Sequence, residues 1–192
     1  MLHSLYNKML AWAAMPQAPR FLALISFVES SIFPIPPDVM LVPMILANRA
    51  RAWAYAAITT VASVLGGLAG YAIGAFFFAQ IGAPLLAAMG KADAIAAFNA
   101  QFNTYGVWVV LIAGLTPFPF KVITIMSGWT GLSLPIFILS AVIARGLRFY
   151  MVAALLWRFG PAIRDFIERR LGLVFALGLI VLIGGFYAVR FL

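Results

Sequence analysis

The segment Glu29 to Asp38, Glu-Ser-Ser-Ile-Phe-Pro-Ile-Pro-Pro-Asp, constrains the fold more than any other, because it interrupts a run that is otherwise apolar from Phe21 to Ala47. An ionised acid at the centre of a membrane helix costs about 2.5 to 3.5 kcal/mol on insertion scales, so such residues face protein or water and mark a pathway. Pro34, Pro36 and Pro37 each lack an amide donor and break the helical ladder. An unwound turn at membrane depth is tolerated only where it is buried in protein or lines a cavity. The segment 21–47 is therefore expected to be a re-entrant hairpin. Its arms, Phe21 to Phe33 and Val39 to Ala47, would be about 20 Å and about 14 Å long at about 1.5 Å per residue. Neither crosses a hydrocarbon core of about 30 Å.

Composition supports a membrane setting. Of 192 residues, 65% are apolar and 9% charged, with a mean hydropathy of +1.07, more apolar surface than a water-soluble fold can hide. The net charge of +8 is explained by topology rather than by nucleic acid, since anionic lipid attracts basic loops to the cytoplasmic face. There is no cysteine, and the lone His3 lies near the N-terminus, so neither thiol chemistry nor a metal site is expected and no cofactor is called for. Residues 1–20 are expected to form an interfacial amphipathic helix, with Leu2, Leu5, Met9 and Trp12 on one side.

Further along, a transmembrane helix is expected at 53–78. Its Gly66, Gly70 and Gly74 recur every four residues, with Gly67 beside them, and form a smooth stripe for a close helix crossing. The stripe serves either packing within the chain or a homodimer seam. Gly82 to Gly90 is expected as a loop, 91–104 as a second interfacial helix with a polar edge, and 107–131 as a second hairpin broken at Thr116-Pro117-Phe118-Pro119-Phe120-Lys121. A second transmembrane helix follows at 134–157, then a basic loop to Arg170 and a last span at 171–190.

The two broken segments align, Pro34-Ile35-Pro36-Pro37-Asp38-Val39 on Pro117-Phe118-Pro119-Phe120-Lys121-Val122, at an offset of 83 (117 against 34). Paired broken segments at corresponding positions of two halves point to a transporter-like site. The architecture expected is an all-α integral membrane protein with two inverted-repeat re-entrant hairpins and transmembrane helices. If both hairpins turn back, Lys8, Arg20, Arg49, Arg51, Arg158, Arg164, Arg169 and Arg170 share one side, and Lys91 and Arg190 fall on the other. The positive-inside rule then puts the N-terminus in the cytoplasm and the C-terminus in the periplasm.

Five charges at membrane depth need partners: Glu29 and Asp38 in the first hairpin, Lys121 at the tip of the second, and Arg145 and Arg148 in the next helix. Arg145 stands twelve residues from Ser133 and thirteen from Arg158, too far to snorkel to either surface. Asp38 and Lys121 occupy equivalent places in the repeat with opposite signs, which suggests that the tips meet. These charges either form permanent buried salt bridges or exchange partners. In the second case Arg145, Arg148 and Lys121 would hold an anionic phosphate headgroup, while Glu29 and Asp38 would couple the exchange to protons. The hydroxyls of Ser30, Ser31, Thr116, Thr124 and Ser127 either line a polar path or satisfy carbonyls freed by the prolines.

Glu29 with its Pro-x-Pro-Pro-Asp turn, then Gly114-Leu115-Thr116-Pro117-Phe118-Pro119-Phe120-Lys121 leading to Ser127-Gly128, and later Arg145, together resemble the DedA family, also called the VTT or SNARE-associated domain family, and within it the short YqaA-like branch. The resemblance covers about Phe21 to Arg158. It implies two opposed re-entrant hairpins in the bacterial inner membrane and a part in moving lipids, undecaprenyl phosphate or phospholipids, with dependence on proton or sodium gradients. The sequence departs from the commoner second-hairpin pattern Arg-Phe-x-Pro-Gly-x-Arg: Gly114 stands in place of the first arginine and Lys121 lies one position beyond the second. Arg145 and Arg148 are expected to supply that charge from the next helix.

The leading expectation is thus a lipid flippase or related transporter. A non-transporting membrane scaffold and a small-ion or osmolyte transporter are the alternatives. A membrane-embedded enzyme is not expected, since no Ser/His/Asp set or metal-ligand cluster is present.

Overall fold

The computed structural model describes residues 15–33, 36–90, 92–116 and 118–169. The expected interfacial helix over 1–20 (up to residue 14), the expected span at 171–190, and Pro34 and Pro117 lie outside them. The described residues form helices α1 (Ala18–Ser31), α2 (Asp38–Ala47), α3 (Ala52–Phe77), α4 (Ala83–Ala88), α5 (Ala92–Leu115), α6 (Phe120–Trp129) and α7 (Leu134–Arg169). A 3₁₀ turn at Arg49–Arg51 leads into α3, and a π turn at Phe78–Gly82 leads out of it. No strand occurs among the described residues.

The prolines set the helix breaks as expected. The position before a proline is biased away from helix, and α1 ends two residues ahead of Phe33-Pro34. Pro37 then caps α2, its carbonyl accepting from the Met40 and Leu41 amides at 3.0 and 2.9 Å. At the far end of α6, Gly131 adopts φ +68°, a left-handed conformation that suits glycine. It closes the helix with Gly131 N–H to the Gly128 carbonyl and Leu132 N–H to the Ser127 carbonyl, the Schellman arrangement.

Three boundaries differ from expectation. The stretch expected as a loop between Gly82 and Gly90 carries the last residue of the π turn and α4. The expected interfacial helix at 91–104 is not separate from the segment at 107–131: Ala92–Leu115 is one continuous helix. An interior glycine costs only about 1 kcal/mol, so Gly106 does not break α5, and the space it leaves is filled by the Leu132 side chain. The helix expected at 134–157 runs on to Arg169 through Pro161. Pro161 cannot donate to the carbonyl four residues back, which belongs to Trp157, and Arg49 Nη2 donates to that carbonyl instead. Gly160 leaves room for the Arg49 side chain, whose Cδ would lie 3.1 Å from a Cβ built there.

Two apolar clusters fix the arrangement. One joins the start of α1 (Ala18, Leu22), the end of α2 (Leu41, Met44, Ile45, Leu46), the start of α3 (Ala52, Tyr55, Ala56) and the later part of α7 (Phe149, Ala153, Leu156). The chain therefore enters along α1 and returns along α2 to the same end. The other cluster joins Val64 of α3, Val110 and Ala113 of α5, Phe120 and Ile123 of α6, and Leu132, Phe137 and Ala141. Asn103 of α5 donates to the Thr130 carbonyl just past α6 at 2.9 Å, so this second helix pair also turns back on itself, at the opposite end.

Both pairs rest on α3. A Cβ on Gly66 would strike the Phe27 carbonyl of α1, one on Gly70 would strike Thr124 of α6, and one on Gly74 would strike the Ile125 carbonyl. The contact is reciprocal, since a Cβ on Gly128 of α6 would strike the Tyr71 carbonyl of α3. The glycine stripe is thus covered by the chain's own helices and is not open to a second copy. Among the described residues two helices, Arg49–Leu85 and Leu134–Ile163, are long and apolar enough to cross a membrane. Outward-facing Val61, Leu65, Trp108, Ile112, Leu139 and Leu147 are exposed, while Glu29 and Arg145 are buried.

Candidate functional site

The site forms where the inner ends of the two helix pairs meet, midway along α3 and α7. Glu29 and Ser30 arrive on the last turn of α1, Asp38 on the first turn of α2, Thr116 just past α5, and Lys121 and Thr124 on the first turns of α6. Arg145 and Arg148 approach from α7, three residues apart and so on one face. The tips touch directly: Thr124 Oγ1 donates to the Ser30 carbonyl at 2.9 Å and Lys121 Nζ to the Ile32 carbonyl at 3.0 Å.

Arg145 is fully buried and closes a ring of hydrogen bonds. Its Nη2 meets Glu29 Oε2 at 2.6 Å, and its Nε donates to Ser63 Oγ at 2.6 Å. Ser63 and Ser30 hydroxyls lie 2.7 Å apart, and Ser30 donates to Glu29 Oε2 at 2.9 Å. The hydrogens run one way round, from Arg145 through Ser63 and Ser30 to the carboxylate. The guanidinium also faces the Phe120 and Phe149 rings, at 4.8 and 4.6 Å from their centroids, contacts that favour a desolvated cation. The ring ties α1, α3 and α7 together.

The second pair is built differently. Arg148 Nη2 meets Asp38 Oδ2 at 2.7 Å and its Nη1 donates to the Thr116 carbonyl at 3.0 Å. Its side chain is 17% exposed and that of Asp38 27%, against 0% and 8% for Arg145 and Glu29. The tips meet as their opposite signs suggest, but Asp38, which opens α2, bonds to Arg148 of α7, whereas Lys121 reaches back to the Ile32 carbonyl just past α1.

All five expected charges therefore gather at the meeting point, together with Pro36, Pro37 and Pro119 of the turns. Most hydroxyls satisfy backbone carbonyls: Ser31 bonds to those of Phe27 and Val28, Thr116 to that of Ala113, and Thr124 to those of Ser30 and Lys121. Ser127 Oγ is buried without a partner. Ser63, Phe120 and Phe149 were not among the expected site residues. Ser63 carried one signal, a hydroxyl one turn ahead of Gly67 in a span whose other small hydroxyls are Thr59 and Thr60. Among the described residues no group of three or more His, Cys, Asp or Glu side chains is placed to hold a metal.

This arrangement can be set beside known proteins. The model of the VTT domain matches residues 35–167, more than half of the chain. The chain belongs to the VTT-domain family, the DedA family. An uncharacterized protein of Haemophilus influenzae is 37% identical over 169 residues, 86% of this chain and 88% of its own length. A second uncharacterized protein, from Histophilus somni, is 36% identical over the same shares of both chains. No solved structure matches. The VTT-domain match runs from the turn after α1 nearly to the end of α7, so it includes Asp38, Lys121, Arg145 and Arg148 and leaves Glu29 just before it.

Proposed function

We propose that this VTT-domain protein is a multi-pass protein of the bacterial inner membrane that moves a lipid with an anionic phosphate headgroup across the bilayer, driven by a proton or sodium gradient. One observation carries the reading: two helix pairs approach from opposite ends of an apolar molecule, and where their tips meet the two carboxylates of the first pair face two arginines of α7. At about 1.5 Å per residue α3 is about 39 Å long, enough for a core of about 30 Å, and Ser63 lies near its middle. The pairs α1–α2 and α5–α6 are then re-entrant hairpins, and the exposed Ile32, Phe33 and Thr116 at their inner ends stand where irregular backbone is tolerated if it lines a cavity. The basic end, with Arg20, Arg49, Arg51 and Arg158, faces the cytoplasm, and so does the N-terminus.

Arginine binds phosphate through a planar fork and keeps its charge. A carboxylate that takes up a proton, or accepts sodium, lets go of its arginine, which is then free for a headgroup; returning the ion resets the pair. The Haemophilus and Histophilus relatives carry no described activity, so this reading rests on the family and on the site itself. Its test is reconstitution in vesicles, with translocation of undecaprenyl phosphate and of phosphatidylethanolamine measured with and without an imposed pH gradient. The gradient is expected to accelerate one of the two, and Asp38→Asn to abolish the movement while folded protein stays in the membrane; Glu29→Gln, which leaves the buried Arg145 unpaired, is expected to lose stability together with movement. Movement unchanged in both variants would remove the acids from the mechanism.

A further inference from the structure

We propose that the two ion pairs have different tasks: Arg148 and Lys121 form the phosphate-binding site, with Asp38 as the counter-ion that Arg148 gives up, whereas the Arg145–Glu29–Ser30–Ser63 ring is a fixed strut. The proposal deepens the transport reading and rests on it for the ligand class.

Charge counting supplies the first reason. The tips carry three cations, Lys121, Arg145 and Arg148, against two carboxylates, Glu29 and Asp38. Arg145 and Glu29 cancel inside the ring, and Arg148 and Asp38 cancel beside it. Lys121 is left with a neutral carbonyl, that of Ile32, as its described partner. One positive charge is thus uncompensated in an apolar setting, which favours an anion there. Lys121 bonds at Ile32, just past α1, and Arg148 at Asp38, where α2 begins, so both cations act on the tip of the first helix pair.

Access supplies the second. No part of Arg145 is exposed, its Nε and Nη2 are committed, its Nη1 is buried without a hydrogen-bond partner among the described residues, and aromatic rings face its guanidinium. A headgroup reaching it would have to part α1, α3 and α7. Arg148 is partly open, and its two partners differ in kind. The Thr116 carbonyl belongs to the backbone and holds the plane of the guanidinium through Nη1. The Asp38 carboxylate, on Nη2, is the one partner that a phosphate oxygen can replace with like charge and geometry.

The division is tested by binding to the purified full chain in detergent. The probes are dodecyl phosphate as a monoester, dihexanoylphosphatidylglycerol as a diester, and inorganic phosphate. At least one lipid probe is expected to bind. Asp38→Asn, which removes the competing carboxylate, is expected to tighten that binding, and Arg148→Ala to weaken it about tenfold or more. Asp38→Asn with Arg148→Gln leaves neither charge orphaned and is expected to stay folded and lose the probe. Ser63→Ala is expected to lower the melting temperature while leaving probe affinity unchanged. Inorganic phosphate bound as tightly as the lipid probes, with the same variant pattern, would support the same site with free phosphate as its ligand. The division is overturned if neither lipid probe nor phosphate binds, if Arg148→Ala binds like the parent chain, or if Ser63→Ala weakens binding as much as Arg148→Ala does. Binding that follows the expected pattern in a protein that moves no lipid would sink the transport reading and leave this site standing.

Discussion

Arg145 shows how one side chain can be both costly and indispensable. Burying a guanidinium is tolerable because Glu29, Ser63 and two aromatic faces replace the water of all but its Nη1, which has no hydrogen-bond partner among the described residues. Removing one partner of such a pair costs about 3 to 5 kcal/mol, since the other is left as an unpaired buried charge. Arg145→Ala is expected to lose stability on that scale in detergent unfolding, and adding Glu29→Gln is expected to restore much of it; no recovery would mean that Glu29 is not held by charge. At this scale the sequence was informative about cost and silent about partners. Glu29, Asp38, Arg145 and Arg148 stood out because each is expensive at depth. Which acid meets which arginine depends on the rotation of α2 and α7, so Asp38 meets Arg148 rather than Lys121. Ser63 was missed because a single hydroxyl is cheap in a membrane helix and leaves no trace in the apolar pattern.

Helices are where local signals and tertiary contacts compete. The proline breaks before α2 and α6 were legible because the ring and the missing donor act within a few residues. Pro161 was not, because its lost hydrogen bond is replaced from 108 positions away by Arg49 on the Trp157 carbonyl. Gly106 does not interrupt α5 either, since Leu132 fills the space beside it and the helix passes without a break. If Arg49 substitutes for the amide that Pro161 lacks, Arg49→Ala is expected to cost about 1.5 to 3 kcal/mol, and clearly less in a Pro161→Ala background, where the backbone regains its own N–H at that position. Equal losses in both backgrounds, measured as a double-mutant cycle, would refute the substitution. The glycine stripe on α3 was visible from its spacing, but its partners were not: α1 and α6 fill it, with Thr124 and Gly128 as the small residues on the other side.

For the molecule as a whole, the repeat read from two proline turns extends to whole elements. Shifted by 83 positions, the end of α1 and the starts of α2 and α3 each fall within one residue of the end of α5 and the starts of α6 and α7. The two halves share a path but not a chemistry, for the acids come from the first pair, the lysine from the second, and both arginines from α7. The central claim is that the helix pairs dip in from opposite faces of the membrane and return. The chain has no cysteine, so single cysteines at exposed Gln17, Ala50, Met89 and Ser133 can be labelled with an impermeant maleimide in intact cells and in inverted vesicles. The account predicts that positions 17 and 50 react only from the cytoplasmic face, and 89 and 133 only from the periplasmic face. Positions 17 and 50, or 89 and 133, labelling from opposite faces would contradict it.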